Sequence, residues 1–407
     1  MGIKGLSGLL MIISLLTAST AWSVEIHGRS STQFLWFNNI FNNRTQDEIA
    51  QYLQIGITNI DKDGKLSIYG YGRGSQDLTN GNGVNGRLYY LYLDYRNLLG
   101  KVDIRAGRQF VNLAAGSAII DGARIDLKNI GPVALTVLGG RNVVFGLNGE
   151  ISHGGDAVFG VAGSLVGFKY TDLEMGYFAK WTSDADGPAR ETLGASFKQY
   201  LFNSLKLYAD VRYDLYGEVF SEVLAGVKYF PIPNLVLTGE YYQSYPTFDA
   251  DSIYAVFAVN RYREGVFRAD YRINDMFSVN AGYSRQDYGD DGMADVYQLG
   301  CRIKPIEPLE INLSYDKRQG YNGSLDGGII DVTYYATKAL QLAAGLQFDV
   351  YTRDDIATTG HEIARKYWVG GKYKLAKNMS ASCRIEDDIN RSFNNDWQGR
   401  VVFNYDF

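Results

Sequence analysis

The chain holds seven prolines, two cysteines and three histidines in 407 residues. So little proline excludes a proline-rich linker protein, and two cysteines cannot make a disulfide framework. Its histidines, His27, His153 and His361, are far apart in the chain, and no Ser/His/acid or paired-carboxylate grouping forms around them. An enzymatic role is therefore not expected. No stretch of 18 apolar residues occurs, which excludes a membrane-spanning helix. Charge of neither sign dominates, with 40 Lys and Arg against 45 Asp and Glu, so a nucleic-acid partner is not expected. Two acidic turns, D-K-D-G (Asp61 to Gly64) and Y-G-D-D-G-M-A-D (Tyr288 to Asp295), fall short of the twelve-residue calcium loop and read as solvated turns.

What is abundant is tyrosine, 31 residues, and glycine, 46. The chain ends V-V-F-N-Y-D-F. Strand side chains alternate between faces, so Trp397, Gly399, Val401, Phe403, Tyr405 and Phe407 form one apolar row, with Gln398, Arg400, Val402, Asn404 and Asp406 opposite. At the other end, Lys4, the apolar run Gly8 to Leu16 and the small residues around Ala21 to Ser23 have the three parts of a secretory signal peptide. Residues 1–23 are therefore read as an export signal and 24–407 as a single domain. An exported chain without a helical anchor is either soluble or a barrel. Mild hydropathy suits a barrel, in which only every second strand residue meets lipid.

A unit of tight polar turn followed by alternating apolar residues recurs ten times. Its clearest copies start at Leu205, Phe277, Leu309 and Leu340, and others start at Leu66, Val102, Val133, Leu173, Leu235 and Met379. Each follows a turn rich in Gly, Asn, Asp or Pro, such as D-K-D-G-K (Asp61 to Lys65) or F-P-I-P-N (Phe230 to Asn234), the residues that supply hairpin dihedrals. Longer polar stretches separate the hairpins. Ten hairpins with a first strand from Val24 to Phe37 and a last from Trp397 to Phe407 give 22 strands, or 20 if the long run from Ser244 to Asn274 is counted differently. The fold class expected is an all-β, antiparallel up-and-down transmembrane barrel of about 20–22 strands, with short periplasmic turns, longer extracellular loops and no plug domain. A soluble sandwich or propeller also alternates, but it does not confine rings to the ends of its strands. The row Tyr89, Leu91, Leu93, Tyr95 carries a ring at each end.

The opposite faces of these strands carry Asp103 and Arg105; Arg124, Asp126 and Lys128; Lys206, Asp210 and Arg212; and Arg268, Asp270 and Arg272. Such residues are expected to line a wet lumen. Cys301 and Cys383 fall in the apolar rows, five strands apart, so a disulfide between them is not expected.

The Phe-terminated strand F-N-Y-D-F, the export signal and the serial hairpins together resemble the outer-membrane β-barrel proteins of diderm bacteria. That resemblance implies an outer-membrane location for Val24 to Phe407, with Phe403, Tyr405 and Phe407 as the signal read by the β-barrel assembly machinery. G-R-Q-F (Gly107 to Phe110) followed by I-D-G-A-R (Ile120 to Arg124) also resembles a strand and loop of porin-like channels.

Barrels of 16 to 18 strands leave an aqueous channel, whereas 22-stranded transporters are plugged. No loop in this sequence is long enough to fold deeply inward as a constriction; the longest candidates are Arg141 to Gly154 and the stretch around Phe248. An unfilled lumen of this width implies a filler from another chain. The sequence thereby resembles the porin-like barrels of porin–cytochrome electron conduits, which implies a multihaem c-type cytochrome as partner. Haem would then be carried by that partner, since no C-x-x-C-H occurs here and this chain binds no cofactor or metal of its own. The alternative is a diffusion porin, general or substrate-selective, for small solutes.

Overall fold

The computed structural model describes residues 24–39, 44–79, 83–146, 149–152, 154–183, 187–247, 260–353 and 360–407. The expected export signal, His153 and the stretch around Phe248 lie outside these residues. The chain starts with β1 (Glu25–Asn39), β2 (Arg44–Thr58), β3 (Leu66–Asp77), β4 (Asn85–Leu98), β5 (Val102–Leu113), β6 (Gly116–Ile130) and β7 (Val133–Val143). A minute hairpin, β8 (Phe145–Gly146) and β9 (Gly149–Glu150), interrupts the series. It resumes with β10 (Ala157–Leu165), β11 (Thr171–Trp181), β12 (Pro188–Leu201), β13 (Leu205–Asp214), β14 (Val219–Ile232) and β15 (Leu235–Ser244). The remaining strands are β16 (Tyr262–Arg272), β17 (Phe277–Asp287), β18 (Met293–Ile306), β19 (Leu309–Gly320), β20 (Gly323–Tyr335), β21 (Leu340–Thr352), β22 (Glu362–Ala376), β23 (Met379–Ile389) and β24 (Asp396–Asp406).

All but β8 and β9 belong to one sheet of 22 strands, each antiparallel to the next in sequence. It closes where β1 meets β24, from Arg29 opposite Asp406 to Trp36 opposite Gly399. Closure leaves no open edge, which satisfies the backbone across an apolar membrane. The expected upper count of strands is thus the observed one, and among the described residues the one helical element is a short 3-10 turn, Gly289–Asp291.

Ten tight turns lie on one rim, nine at the positions read from the sequence and one, between β10 and β11, just before the strand start expected at Leu173. In the first of them, Asp61 Oδ1 accepts the backbone N–H of Lys65 at 2.6 Å and of Leu66 at 2.8 Å, and Gly64 takes a φ of 66°. A glycine is the ordinary occupant of that conformation. The opposite rim departs from expectation. Its loops are not uniformly long: β5 passes to β6 through Ala114 and Ala115 alone, and β19 to β20 through Tyr321 and Asn322.

Register separates the two faces. Cys301 stands opposite both Val279 and Leu313, and Cys383 opposite both Gly371 and Val401. Both thiols are free and belong to the outer, apolar row. That row includes Leu91, Leu93, Leu342, Val369, Val401 and Phe403, all exposed, and its natural solvent is hydrocarbon. One member of the expected apolar row is elsewhere. A bulge shifts the register between β3 and β4, pairing Tyr71 with Tyr90 and Gly72 with Leu88. The unpaired Tyr89 stacks on Tyr71 at 5.0 Å, on the inner face.

Candidate functional site

The lumen is not empty. β5 and β6 bend inward partway up, β5 parting from β4 past Arg108 and β6 from β7 past Ile119. Their lower halves pair as wall strands, with Arg105 opposite Arg124 and Gly107 opposite Gly122. Gly122 in turn stands opposite Gly140 of β7, so three strands carry glycine at one height. Gly107 adopts a φ of 122°, and a Cβ at Gly122 would stand 2.1 Å from the Gly139 carbonyl oxygen and 2.5 Å from the Gly140 Cα. Side chains are sterically impossible at that crease, and the sheet folds where they are missing.

Beyond the crease the hairpin lies on the inner face of the wall. Gln109, Val111, Leu113, Ala118 and Ile120 turn toward Leu138, Val158, Ala162 and Phe178 of β7, β10 and β11, and these side chains are buried. Burying a Val, Leu, Ile or Phe is worth roughly 1.5–3 kcal/mol. Several such residues together make the hairpin a fixed part of the barrel rather than a flap. Its other face carries Phe110, Asn112 and Ser117, which are exposed to the lumen.

The tip is clamped to β11, β12 and β13, well along the wall from the hairpin's own place in it. Ala114 donates its N–H to Glu174 Oε1 at 2.6 Å, Thr192 donates its hydroxyl to the Ala115 carbonyl at 2.6 Å, and Arg212 Nε donates to the Ala114 carbonyl at 3.1 Å. These bonds satisfy the backbone of the turn. Gly194 makes the seat: a Cβ there would lie 2.3 Å from the N and Cα of Ala115. A hairpin spanning that far through a closed cylinder is a chord of its interior. The face bearing Glu174, Thr192 and Arg212 is therefore the inner one.

Folding the hairpin inward exposes the upper edge of β4, and the segment containing β8 and β9 covers it. Arg87 donates to the Gly146 carbonyl at 2.8 Å, and Arg108 to the Leu88 carbonyl at 3.2 Å. Arg108 also grips Asp121 through two nitrogens, at 2.7 and 2.8 Å, and reaches Glu150 at 2.9 Å; Arg141 joins Asp121 at 2.8 Å. Two arginines and two carboxylates thus fasten hairpin, wall and loop together.

The tip stands between two polar cavities. On one side is a cavity of about 630 Å³ lined by Asp172, Glu174, Lys198, Asp210, Arg212 and Glu222. On the other is one of about 330 Å³ lined by Lys180, Arg190, Thr192, Arg212, Glu222 and Tyr245. Arg212 and Glu222 line both and are bonded to each other at 2.6 Å.

Of the residues expected to line the lumen, Arg212 and Asp210 stand at the tip of the hairpin. Asp103 and Lys128 form an ion pair below the crease, where Arg124 also chelates Asp126. Arg105 faces Asp94 at 3.7 Å. Lys206 stands opposite Lys228, toward the turn rim. Arg268, Asp270 and Arg272 share a face with Gly282, Asn280 and Ser278, across the lumen from the hairpin's root. The structure does not gather the eleven into one cluster. Phe403 and Tyr405 stand opposite Thr32 and Ser30 on the closing seam, and Phe407 exchanges backbone hydrogen bonds with Gly28. His27 lies near the turn rim and His361 at the loop rim, so they do not meet.

Sequence reasoning missed the constriction itself. Loop length is the wrong criterion here, because the intruding element is a pair of strands joined by a two-residue turn rather than a long loop such as Arg141 to Gly154. Its signal is present in the sequence: past Gly107 and Gly122 the inner parity changes from charge to Val111, Leu113, Ala118 and Ile120.

No protein-family model matches the sequence, and no curated protein matches it. Among solved structures, a mutant of the ferric enterobactin receptor (PfeA) from Pseudomonas aeruginosa aligns over 96% of this chain and 81% of its own, with a TM-score of 0.62 at 11% identity. The P pilus usher (PapC) translocation pore aligns over 94% and 99%, with a TM-score of 0.51 at 12% identity. At such identities the likeness concerns the fold, and that fold is the bacterial outer-membrane β-barrel.

Proposed function

We propose that the chain forms a passive outer-membrane channel for small solutes, its bore set by the inward β5–β6 hairpin. The observation that carries this reading is the clamped tip: a buried apolar face and three hydrogen bonds hold the hairpin inside the lumen, against the wall of β7 to β13. A wide 22-stranded ring is a poor barrier by itself. With the hairpin in place, a solute passes beside Arg212 and Glu222 through walls of mixed charge, which suits neutral or zwitterionic solutes better than ions of one sign. The hairpin also removes part of the reason for expecting a filler from another chain.

The test is conductance of the purified barrel in planar bilayers. The intact chain is expected to give steady, modest single-channel currents, and a variant with residues 109–120 replaced by a short Gly-Ser turn to give currents several-fold larger. Absence of current from the intact chain overturns the reading. The width that remains beside the hairpin supports a second one, a sheath for a multihaem cytochrome with haem in the partner. Haem staining of the gently extracted complex separates the two, since a channel for solutes carries none.

A further inference from the structure

We propose that the inner wall of β2–β4 is a binding track for carbohydrate, meaning neutral, hydroxylated ring solutes; the inference rests on the channel reading and names what the channel takes. Six rings follow one another down this wall. Phe145, near the loop rim, meets Tyr89 at 5.9 Å; Tyr89 meets Tyr71 at 5.0 Å; Tyr71 meets Tyr90 at 5.7 Å; Tyr90 meets Tyr92 at 5.6 Å; and Tyr92 meets Tyr69 at 5.5 Å, close to the turn rim. All six are half-buried, so part of each ring is open to the lumen. The bulge at Tyr89 completes the file, for regular pairing would have sent that ring into the membrane.

Its surroundings choose the ligand. A pyranose presents apolar C–H groups on its faces and hydroxyls on its rim, so it asks for aromatic faces with hydrogen-bonding groups at their edges. Those groups are here as pairs. Arg73 is bound to Glu48, Arg105 faces Asp94 at 3.7 Å, and Gln54 donates to the Tyr90 hydroxyl at 3.2 Å. Paired charges give donors and acceptors with little net field, which disfavours an anion as the natural ligand. A cation is disfavoured for another reason: Arg105 already stands 4.5 Å from the Tyr92 ring centre and Arg73 5.6 Å from that of Tyr52. Packing alone does not account for the file. Toward the turn rim, the inner positions of β16, β17 and β19 across the lumen are polar, Arg268, Asp270, Ser278, Asn280 and Ser314 among them, and rings return there only near the loop rim, at Tyr262, Tyr288 and Tyr321.

The test titrates the full barrel in detergent with maltohexaose by calorimetry and, in parallel, records ion current in bilayers with the same sugar. Saturable binding and concentration-dependent current block are expected. Tyr71→Ala should weaken both at least about tenfold, while Tyr71→Phe, which keeps the ring, stays within about twofold of the parent. Unchanged sugar-free conductance in both variants shows that the barrel is intact. No binding by the parent overturns the track whatever the current, as does equal binding by Tyr71→Ala. Equal loss in the Ala and Phe variants also overturns it, because the ring face is then not the contact. Sugar binding without ion current leaves the track standing and defeats the channel reading alone.

Discussion

The two sides of the barrel obey different rules at the same strand parity. In β16 to β19 the inner positions include Arg268, Asp270, Asn280 and Ser314, and the outer ones include Phe267, Leu299 and Leu313. In β7, β10 and β11 the inner positions include Leu138, Val158, Ala162 and Phe178, buried beneath the hairpin, while Phe159 remains exposed on the outer face. Parity therefore reports which solvent a side chain meets, and that solvent need not be water inside a barrel. In β7, β10 and β11, where both faces are apolar, the inner one has a dry neighbour.

The largest expected effect tests that neighbour. Ile120→Ala empties space in a packed interior and should cost about 2–5 kcal/mol in denaturant unfolding from lipid vesicles. Ile330→Ala on the outer face should cost much less, because acyl chains fill the space left behind. Equal losses would mean that the two sides do not differ in packing. Next in size, Leu313→Arg should cost about 2–4 kcal/mol and impair insertion, with Ser314→Arg nearly neutral. Equal tolerance would reverse the face assignment on the regular side.

A smaller effect on stability, but a visible one on current, is expected at the seat of the hairpin tip. The Cβ of Gly194→Ala would meet backbone rather than a flexible side chain, so the tip must lift from Thr192 and Arg212. Single-channel conductance should rise while the strands stay paired. Tyr177, next to Phe178 but on the opposite parity and bonded to Glu191, offers a control: Tyr177→Phe should leave the current unchanged.

The wall was legible in the sequence and its interior was not. Turn chemistry at Asp61, Pro233 and Pro308 marks the tight turns of one rim, and period-two alternation carries the rest, so strand number and face followed from local rules. The hairpin follows from contacts between residues distant in sequence, Arg212 with Ala114 and Thr192 with Ala115, which no local rule encodes. Two traces of it were available. One is the row Gly107, Gly122 and Gly140, aligned only once register is known. The other is the apolar inner parity from Val111 to Ile120. Of the expected lumen residues, Arg212 lines both cavities and also holds a backbone carbonyl of the hairpin.

The smallest expected effect separates the two sides by their response to acid. Asp61, half-buried on the turn rim, has its carboxyl held below the usual aspartate range, first by the N–H of Leu66 and then by that of Lys65 and the Lys65 ammonium. A carboxyl whose native pKa is lowered contributes stability above its unfolded pKa, and that contribution disappears as pH falls through the native value. Asp61→Ala should therefore lower the thermal midpoint slightly at neutral pH, and the gap from the parent should close on acidification through and below the ordinary aspartate range. The deficit of Ile120→Ala, which comes from lost apolar contact, should persist through the same titration. An Asp61→Ala gap that survives in acid would mean that the turn is set by its backbone and Gly64 rather than by the carboxylate.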